Sequence, residues 1–214
     1  MSLRTKTMHY RLALVSAAAL FSLCGQADAL NLLTNASFEN PPTTVSVYNS
    51  IPGWTRTCGT GVEIQSVGGT GWGAADGTQW WESDGNNNTC LTQSVPSAVN
   101  TVYQMSFWYS PRPGVLDNGV EVLFNGQVIA TLNVSGIGLT NTAWQQGIYN
   151  VVSYSNTATV ELRAFGPSNA LGGLVDGVVL EARACGRCPG DANDDGAVTF
   201  ADIVFILANF GPCR

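Results

Sequence analysis

The chain has 214 residues, a net charge of −6 and only 11% charged residues. Its one lysine, Lys6, and its one histidine, His9, both precede residue 30, so the chain beyond sets six arginines against fourteen acidic residues. That balance argues against a phosphate-binding basic patch or a polybasic membrane contact, and the missing histidine and lysine rule out a Ser-His-Asp triad, a Cys-His pair, a His-bearing zinc site and a Schiff base there.

Residues 1–29 read as a secretory signal peptide. Arg4, Lys6 and Arg11 form a basic start, "LALVSAAALFSL" is the apolar run, and "ADA" supplies small residues for cleavage. The run is shorter than the roughly 20 residues that span a bilayer. Bulky Leu23 before Cys24 disfavours a lipoprotein signal. The expected product begins near Leu30 and is secreted, extracellular or at the cell surface, where disulfides persist.

Residues 30–182 carry a β pattern. "TVYQMSFWYS" alternates, with Tyr103, Met105, Phe107 and Tyr109 on one face and Gln104, Ser106, Trp108 and Ser110 on the other. "GVEVLFNGQVIATL" reads as a hairpin turning at Asn125-Gly126. "ATVELRAFG" and "DGVVLEARA" are further alternating strands, and Gly-, Asn-, Ser- and Thr-rich loops separate the strands. The fold expected is mainly β, a jelly-roll β-sandwich, with Cys58 and Cys90 as a disulfide inside it.

Six tryptophans fall in this segment: Trp54, Trp72, Trp80, Trp81, Trp108 and Trp144. Flat aromatic rings bind the apolar C–H faces of sugars, although burial in a core is their usual use. Alternation puts Trp80 and Trp81 on opposite faces, so one of them is core. Trp72 lies on a Gly-rich loop and Trp108 shares the polar face of its strand, so these two are the candidate ligand-binding rings. Arg112, between the prolines of "SPRPG", is the candidate polar partner for a sugar hydroxyl or acid group, or else a loop anchor. A glycosidase needs two carboxylates about the scissile bond. Asp76, Glu82 and Asp84 are the nearest such cluster, and nothing in the sequence separates their pKa values. A glycoside hydrolase and a structural matrix or surface protein therefore stand as alternatives to binding, and enzymatic activity is not expected.

Residues 183–189 form a linker bearing Cys185 and Cys188. "CGRC" lacks the βαβ setting of a thioredoxin-like redox pair, and a Cys-only zinc site lacks a fourth ligand. Cys188 with Cys213 is the simplest remaining disulfide, which leaves Cys185 over.

Residues 190–214 hold "GDANDDGAVTFADIVFILANFG". Counted from Asp191, side-chain oxygens fall at positions 1, 3, 5, 9 and 12 as Asp191, Asn193, Asp195, Thr199 and Asp202. Gly196 sits at the sharp bend, and Ala197 offers its carbonyl at position 7. This is the spacing of an EF-hand calcium loop, with Asp in place of the final Glu. Ile203, Ile206, Leu207 and Phe210 follow at helical spacing. A unit of this size cannot bury a core by itself, so Ca2+, a disulfide or a neighbour must order it.

Two resemblances follow from these residues. The C-terminal segment resembles one repeat of a type I dockerin, a module that plugs secreted proteins into cohesins; this implies calcium and a possible cohesin-like partner. That family has two repeats where this chain has one, and Phe200 and Ala201 stand where polar recognition residues often occur. A disulfide-closed cap is the alternative. The series "NLLTNASFENP", "IPGWT", "DGTQWWE", "YSPRPG" and "GGLVDGVVL" resembles the galactose-binding-like jelly-roll modules of the cell-wall-associated domain-of-unknown-function group. That resemblance implies binding of cell-wall polysaccharide or another glycan. It also implies a structural calcium between the first and last strands, with Glu39 and Asp176 at the matching positions.

Overall fold

The computed structural model describes residues 30–183, 192–193 and 198–210. The expected signal peptide lies outside them, as do Asp191, Asp195, Ala197, Cys188 and Cys213.

Eleven strands form two antiparallel sheets. The six-stranded sheet is ordered β1 (Val45–Tyr48), β3 (Val62–Ser66), β4 (Gln79–Glu82), β11 (Leu174–Ala182), β6 (Thr101–Ser110), β9 (Gln145–Ser153). The five-stranded sheet is ordered β2 (Thr55–Cys58), β5 (Cys90–Pro96), β10 (Thr157–Ala164), β7 (Val120–Phe124), β8 (Gln127–Leu132). The chain changes sheet at every connection except β3–β4 and β7–β8, which gives the sandwich its jelly-roll winding.

Alternation builds the core. Met105 and Phe107 of β6 and Ile64 of β3 face Leu91, Val122, Val160 and Leu162 of the opposite sheet, and all are buried. Trp80 and Trp81 do point to opposite faces. Trp81 belongs to the inter-sheet core, whereas Trp80 is buried on the outer face beneath a loop. The predicted hairpin is β7–β8. Asn125 (φ 49°) and Gly126 (φ 77°) adopt the paired left-handed conformation of a type I′ turn, which a β-branched residue would resist. Cys58 and Cys90 form the disulfide expected of them, with Cα atoms 4.8 Å apart, and join β2 to β5.

Two helices complete the described residues. α1 (Val67–Thr70) is a single turn after β3, ended by Gly71 at φ 77°. It has no helical period in the sequence and was not expected. α2 (Phe200–Ala208) lies where helical spacing predicts a helix. No helix among the described residues is long and apolar enough to cross a membrane.

Candidate functional site

The loop of residues 71–78 folds over one end of the six-stranded sheet and is tied down at several points. Gly73 donates its N–H to Asn141 Oδ1 (2.9 Å), and its carbonyl accepts from Thr142 Oγ1 (2.6 Å) and Trp144 Nε1 (2.7 Å). Asp176 Oδ2 accepts the N–H groups of Ala75 (2.9 Å) and Asp76 (2.8 Å), and its Oδ1 accepts from Gly177 (2.7 Å). Glu39 Oε1 accepts from the N–H groups of Thr78 and Gln79, both at 2.7 Å, and Oε2 from Thr78 Oγ1 (2.8 Å). The two carboxylates placed at the resembled calcium positions thus have every oxygen engaged by an N–H or O–H donor. Both act as anchors of this loop. No group of three or more His, Cys, Asp or Glu side chains placed to hold a metal occurs among the described residues. Burial raises the Asp176 carboxyl to about 7, against the lowering effect of its three N–H donors.

Under the loop, the outer face of β3 and β4 carries an uninterrupted polar chain. Trp80 Nε1 donates to Gln65 Oε1 (3.2 Å), and Gln65 Nε2 donates to Glu63 Oε1 (2.7 Å). Glu63 lies directly opposite Glu82 in the β3–β4 register. Trp144 closes on Trp80 edge to face, with ring centroids 6.1 Å apart.

Glu82 is fully buried. Its carboxylate accepts the N–H of Gly172, and that of Asp84 at 3.0 Å. Arg112 Nη1 stands 3.6 Å from Oε1, an ion pair just beyond hydrogen-bond reach. Desolvation pushes the Glu82 carboxyl from 4.5 up to about 7; the Glu63 charge adds to the rise, while the Gly172 N–H and the Arg112 charge oppose it.

Arg112 joins this buried charge to the surface. Its guanidinium sits 5.7 Å from the centroid of the Trp72 ring, a cation–π arrangement. Its side chain keeps 18% of its surface exposed, while Nη1 is buried without a hydrogen-bond partner. Such a donor is expensive to leave unmade. Arg112 is positioned by Asn118, a buried residue that no sequence signal marked. Asn118 Oδ1 accepts the Arg112 N–H (2.8 Å), and Nδ2 donates to the carbonyls of Val115 and Val134, both at 3.0 Å. Tyr109 Oη donates to the Asn118 carbonyl (2.9 Å), which pins the loop to β6.

Of the three candidate ligand residues, Trp72 and Arg112 therefore meet. Trp108 does not join them. It lies on the outer face as alternation predicts, half-buried, opposite Gln146 and Asp176 in its neighbouring strands. Gly177 of β11 packs on it: a Cβ there would come within 3.0 Å of the indole, and its φ of +51° already favours glycine.

The carboxylates considered for hydrolysis are committed elsewhere. Asp84 accepts from Ser168 Oγ (3.2 Å) and the Asn169 N–H (2.6 Å), and Asp76 is exposed at the loop tip. Glu82 was read from sequence as a potential acid and is found as the buried partner of Arg112.

In the C-terminal unit, Asp202 turns inward and is 1% exposed. Its Oδ1 accepts from the N–H groups of Ala192 (2.8 Å) and Asn193 (3.3 Å), and its Oδ2 from Thr199 N–H (2.6 Å). Those donors, Thr199 first, hold its carboxyl below the ordinary aspartate value. Thr199 is the N-cap of α2 and Asp202 its reciprocal partner, a capping box. "TFAD" carried that signal and was read only as metal ligands. Apart from Asp202, α2 is exposed on all sides, including Phe200 (75%) and Leu207 (66%).

No family model matches the chain, and neither does any curated protein. Solved structures similar to it include a family 61 carbohydrate-binding module, TmCBM61, in complex with β-1,4-galactotriose. That structure is 17% identical, with a TM-score of 0.48, over 72% of this chain and 100% of that one. A family 35 carbohydrate-binding module from Clostridium thermocellum is 12% identical, TM-score 0.43, over 66% of this chain and 99% of that one. The K1 cleaved adhesin domain of Lys-gingipain from Porphyromonas gingivalis W83 is 14% identical, TM-score 0.48, over 66% of this chain and 100% of that one.

Proposed function

We propose that this is a secreted, non-catalytic carbohydrate-binding protein, with its glycan site at the Trp72–Arg112 end of the sandwich. The observation that carries this reading is Arg112 itself. A partly exposed guanidinium beside a surface indole supplies the two things a sugar ring uses, a flat apolar plate and directional donors. Glu82 neutralises the arginine from below, so the pair suits hydroxyls of a neutral or weakly acidic polysaccharide. The loop needs little reordering on binding, because Glu39, Asp176, Asn141 and Trp144 already hold it. A glycosidase reading is disfavoured by the same geometry. The carboxyl best tuned as an acid, Glu82, is fully buried and already accepts two backbone N–H groups.

We further propose that the C-terminal unit binds calcium. Asp202, Asn193 and Thr199, with Asp191, Asp195 and the carbonyl of Ala197, would be its ligands, and the hard oxygen set suits that ion. The inward turn of Asp202 onto the loop backbone supports this reading. The unit then serves attachment or assembly, with a cohesin-like protein as one class of partner.

The test for the first reading is a glycan array with the full exported chain, followed by titration calorimetry on each hit. Trp72→Ala should weaken binding while leaving the thermal midpoint nearly unchanged; Arg112→Ala should weaken binding and also lower the midpoint, because it leaves Glu82 buried without its partner. Glycan binding that survives both substitutions at full affinity overturns the placement of the site.

A further inference from the structure

At the opposite end of the sandwich a cavity of about 770 Å³ opens beside the β7–β8 and β9–β10 turns. β9 runs from Gln145, opposite Tyr109, to Ser153, opposite Thr101, so the two ends are on the order of 25–30 Å apart at about 3.3 Å per residue. The cavity is independent of the Trp72–Arg112 site.

Its lining has a definite chemistry. Tyr154 is 76% exposed and is the only aromatic residue among residues 30–183 that is mainly exposed. An isolated aromatic in so open a position contributes nothing to a core. Ile129 and Val152 extend the apolar wall beside it. The polar lining consists of amides, hydroxyls and one carboxylate, Glu161, with no positive charge. The Gln127 amide and the Thr157 hydroxyl have no hydrogen-bond partner among the described residues and remain available. The floor is already fixed: Asn125 donates its N–H to the Thr159 carbonyl and accepts the Thr159 N–H at Oδ1, both at 2.8 Å.

We propose that this cavity is a second saccharide subsite, which takes a neutral glycan segment stacked on Tyr154 and hydrogen-bonded by Gln127 and Thr157. An anionic ligand would meet Glu161 as the one charged group of the lining, since Arg163, 4.0 Å from that carboxylate, is not part of the lining. A pocket of this size, with an apolar plate and a few convergent polar groups, matches the general form of small-ligand sites. With a site at each end, one molecule can hold two glycan chains, and avidity follows without any new contact.

The test is backbone amide NMR of the full exported chain, titrated with cello-, xylo-, manno- and galacto-oligosaccharides. At least one series should shift amides in residues 127–129 and 152–157. Those shifts should persist in Trp72→Ala, persist in Tyr154→Phe, and weaken about tenfold or more in affinity in Tyr154→Ala. Tyr154 is exposed, so its removal leaves the fold intact, and unchanged resonances elsewhere verify this. Shifts confined to the Trp72–Arg112 end overturn this subsite and leave the first one standing. Shifts confined to the Tyr154 end do the reverse. An unstructured apolar peptide that moves residues 127–129 and 152–157 when no saccharide does overturns the ligand class.

Discussion

The sandwich and the C-terminal helix spend their apolar residues in opposite ways. In the sandwich, Phe38, Ile64, Trp81, Met105 and Leu162 are fully buried, and even the loop of residues 71–78 rests on buried polar groups. In α2, Ile203, Val204, Phe205, Ile206 and Leu207 are all exposed, and the one buried side chain is a carboxylate. The first region is held by area removed from water. The second is organised around the electrostatics of Asp202 and its backbone donors. The contrast teaches that a large unit can be held by burial alone, whereas a unit too small to bury a core needs another source of order.

The sharpest way to break this comparison is to truncate one apolar residue in each region. Trp81→Ala removes a fully buried indole from the inter-sheet core and should cost about 3–5 kcal/mol in denaturant melts. Leu207→Ala, at a position 66% exposed, should change stability by less than about 0.5 kcal/mol. Equal costs would show that α2 has a packed partner in solution.

Calcium should then act on one region only. At about 1,000 times its dissociation constant the ion adds roughly 4 kcal/mol to whatever it orders. Circular dichroism and calorimetry should therefore show a calcium-dependent gain in helix, lost in Asp191→Ala combined with Asp195→Ala. The sandwich melt should not move. A shift of the sandwich melt in that double variant would instead place a second ion near Glu39 and Asp176.

How far the sequence carried these conclusions depends on the range of the interaction. Local rules worked: Asn125-Gly126 set a hairpin, alternation separated Trp80 from Trp81, and helical spacing placed α2. Trp72 and Arg112 were each selected, but their meeting was not legible, because it is made by loops 40 residues apart resting on different strands. Glu82 was noticed for the wrong reason. As a sequence neighbour of Asp84 it looked like half of a catalytic pair, while its true partner comes from the β6–β7 loop. Asn118, Gln65 and Trp144 were missed, since a single buried polar or aromatic residue leaves no periodic trace. The reach of α2's exposure was missed as well: helical spacing implies one apolar face, and Val204 and Phe205 extend it around the helix.

Glu82 gives a pH test that separates the regions further. Its folded pKa of about 7 lies above the ordinary 4.5, so the folded chain binds this proton more tightly than the unfolded chain. Its contribution is therefore fully present below about 4.5 and is lost as pH rises through about 7, a loss on the order of 3 kcal/mol. Asp202 has the opposite sign. Its lowered pKa adds stability above the ordinary aspartate value that disappears as pH falls through the folded one. Sandwich stability, read by tryptophan fluorescence, should thus fall between pH 5 and 8, while α2 helicity, read by circular dichroism in calcium, should fall only in stronger acid. Glu82→Gln should make the first profile markedly shallower, with Asp176, likewise raised to about 7, carrying the remainder, and leave the second alone. A sandwich profile as steep in Glu82→Gln as in the parent would assign the whole pH dependence to Asp176.

The smallest effect concerns binding. Trp72→Ala removes a half-buried ring whose contacts are a cation–π partner and, through its loop, backbone bonds that the substitution keeps. Stability should drop by about 1 kcal/mol or less, in line with the weak cation–π contribution at exposed sites. Affinity for a bound glycan should drop by about tenfold, because stacking area is lost while the Arg112 donor stays. Trp72→Phe should recover part of the affinity, since a smaller ring still offers a plate. The distinction matters because a purely structural role for Trp72 predicts the reverse order: stability would fall first, and affinity would follow only as the loop loosened. If both variants melt earlier and bind glycan as tightly as the parent at low temperature, Trp72 is a strut for Arg112 and the sugar plate lies elsewhere on the module.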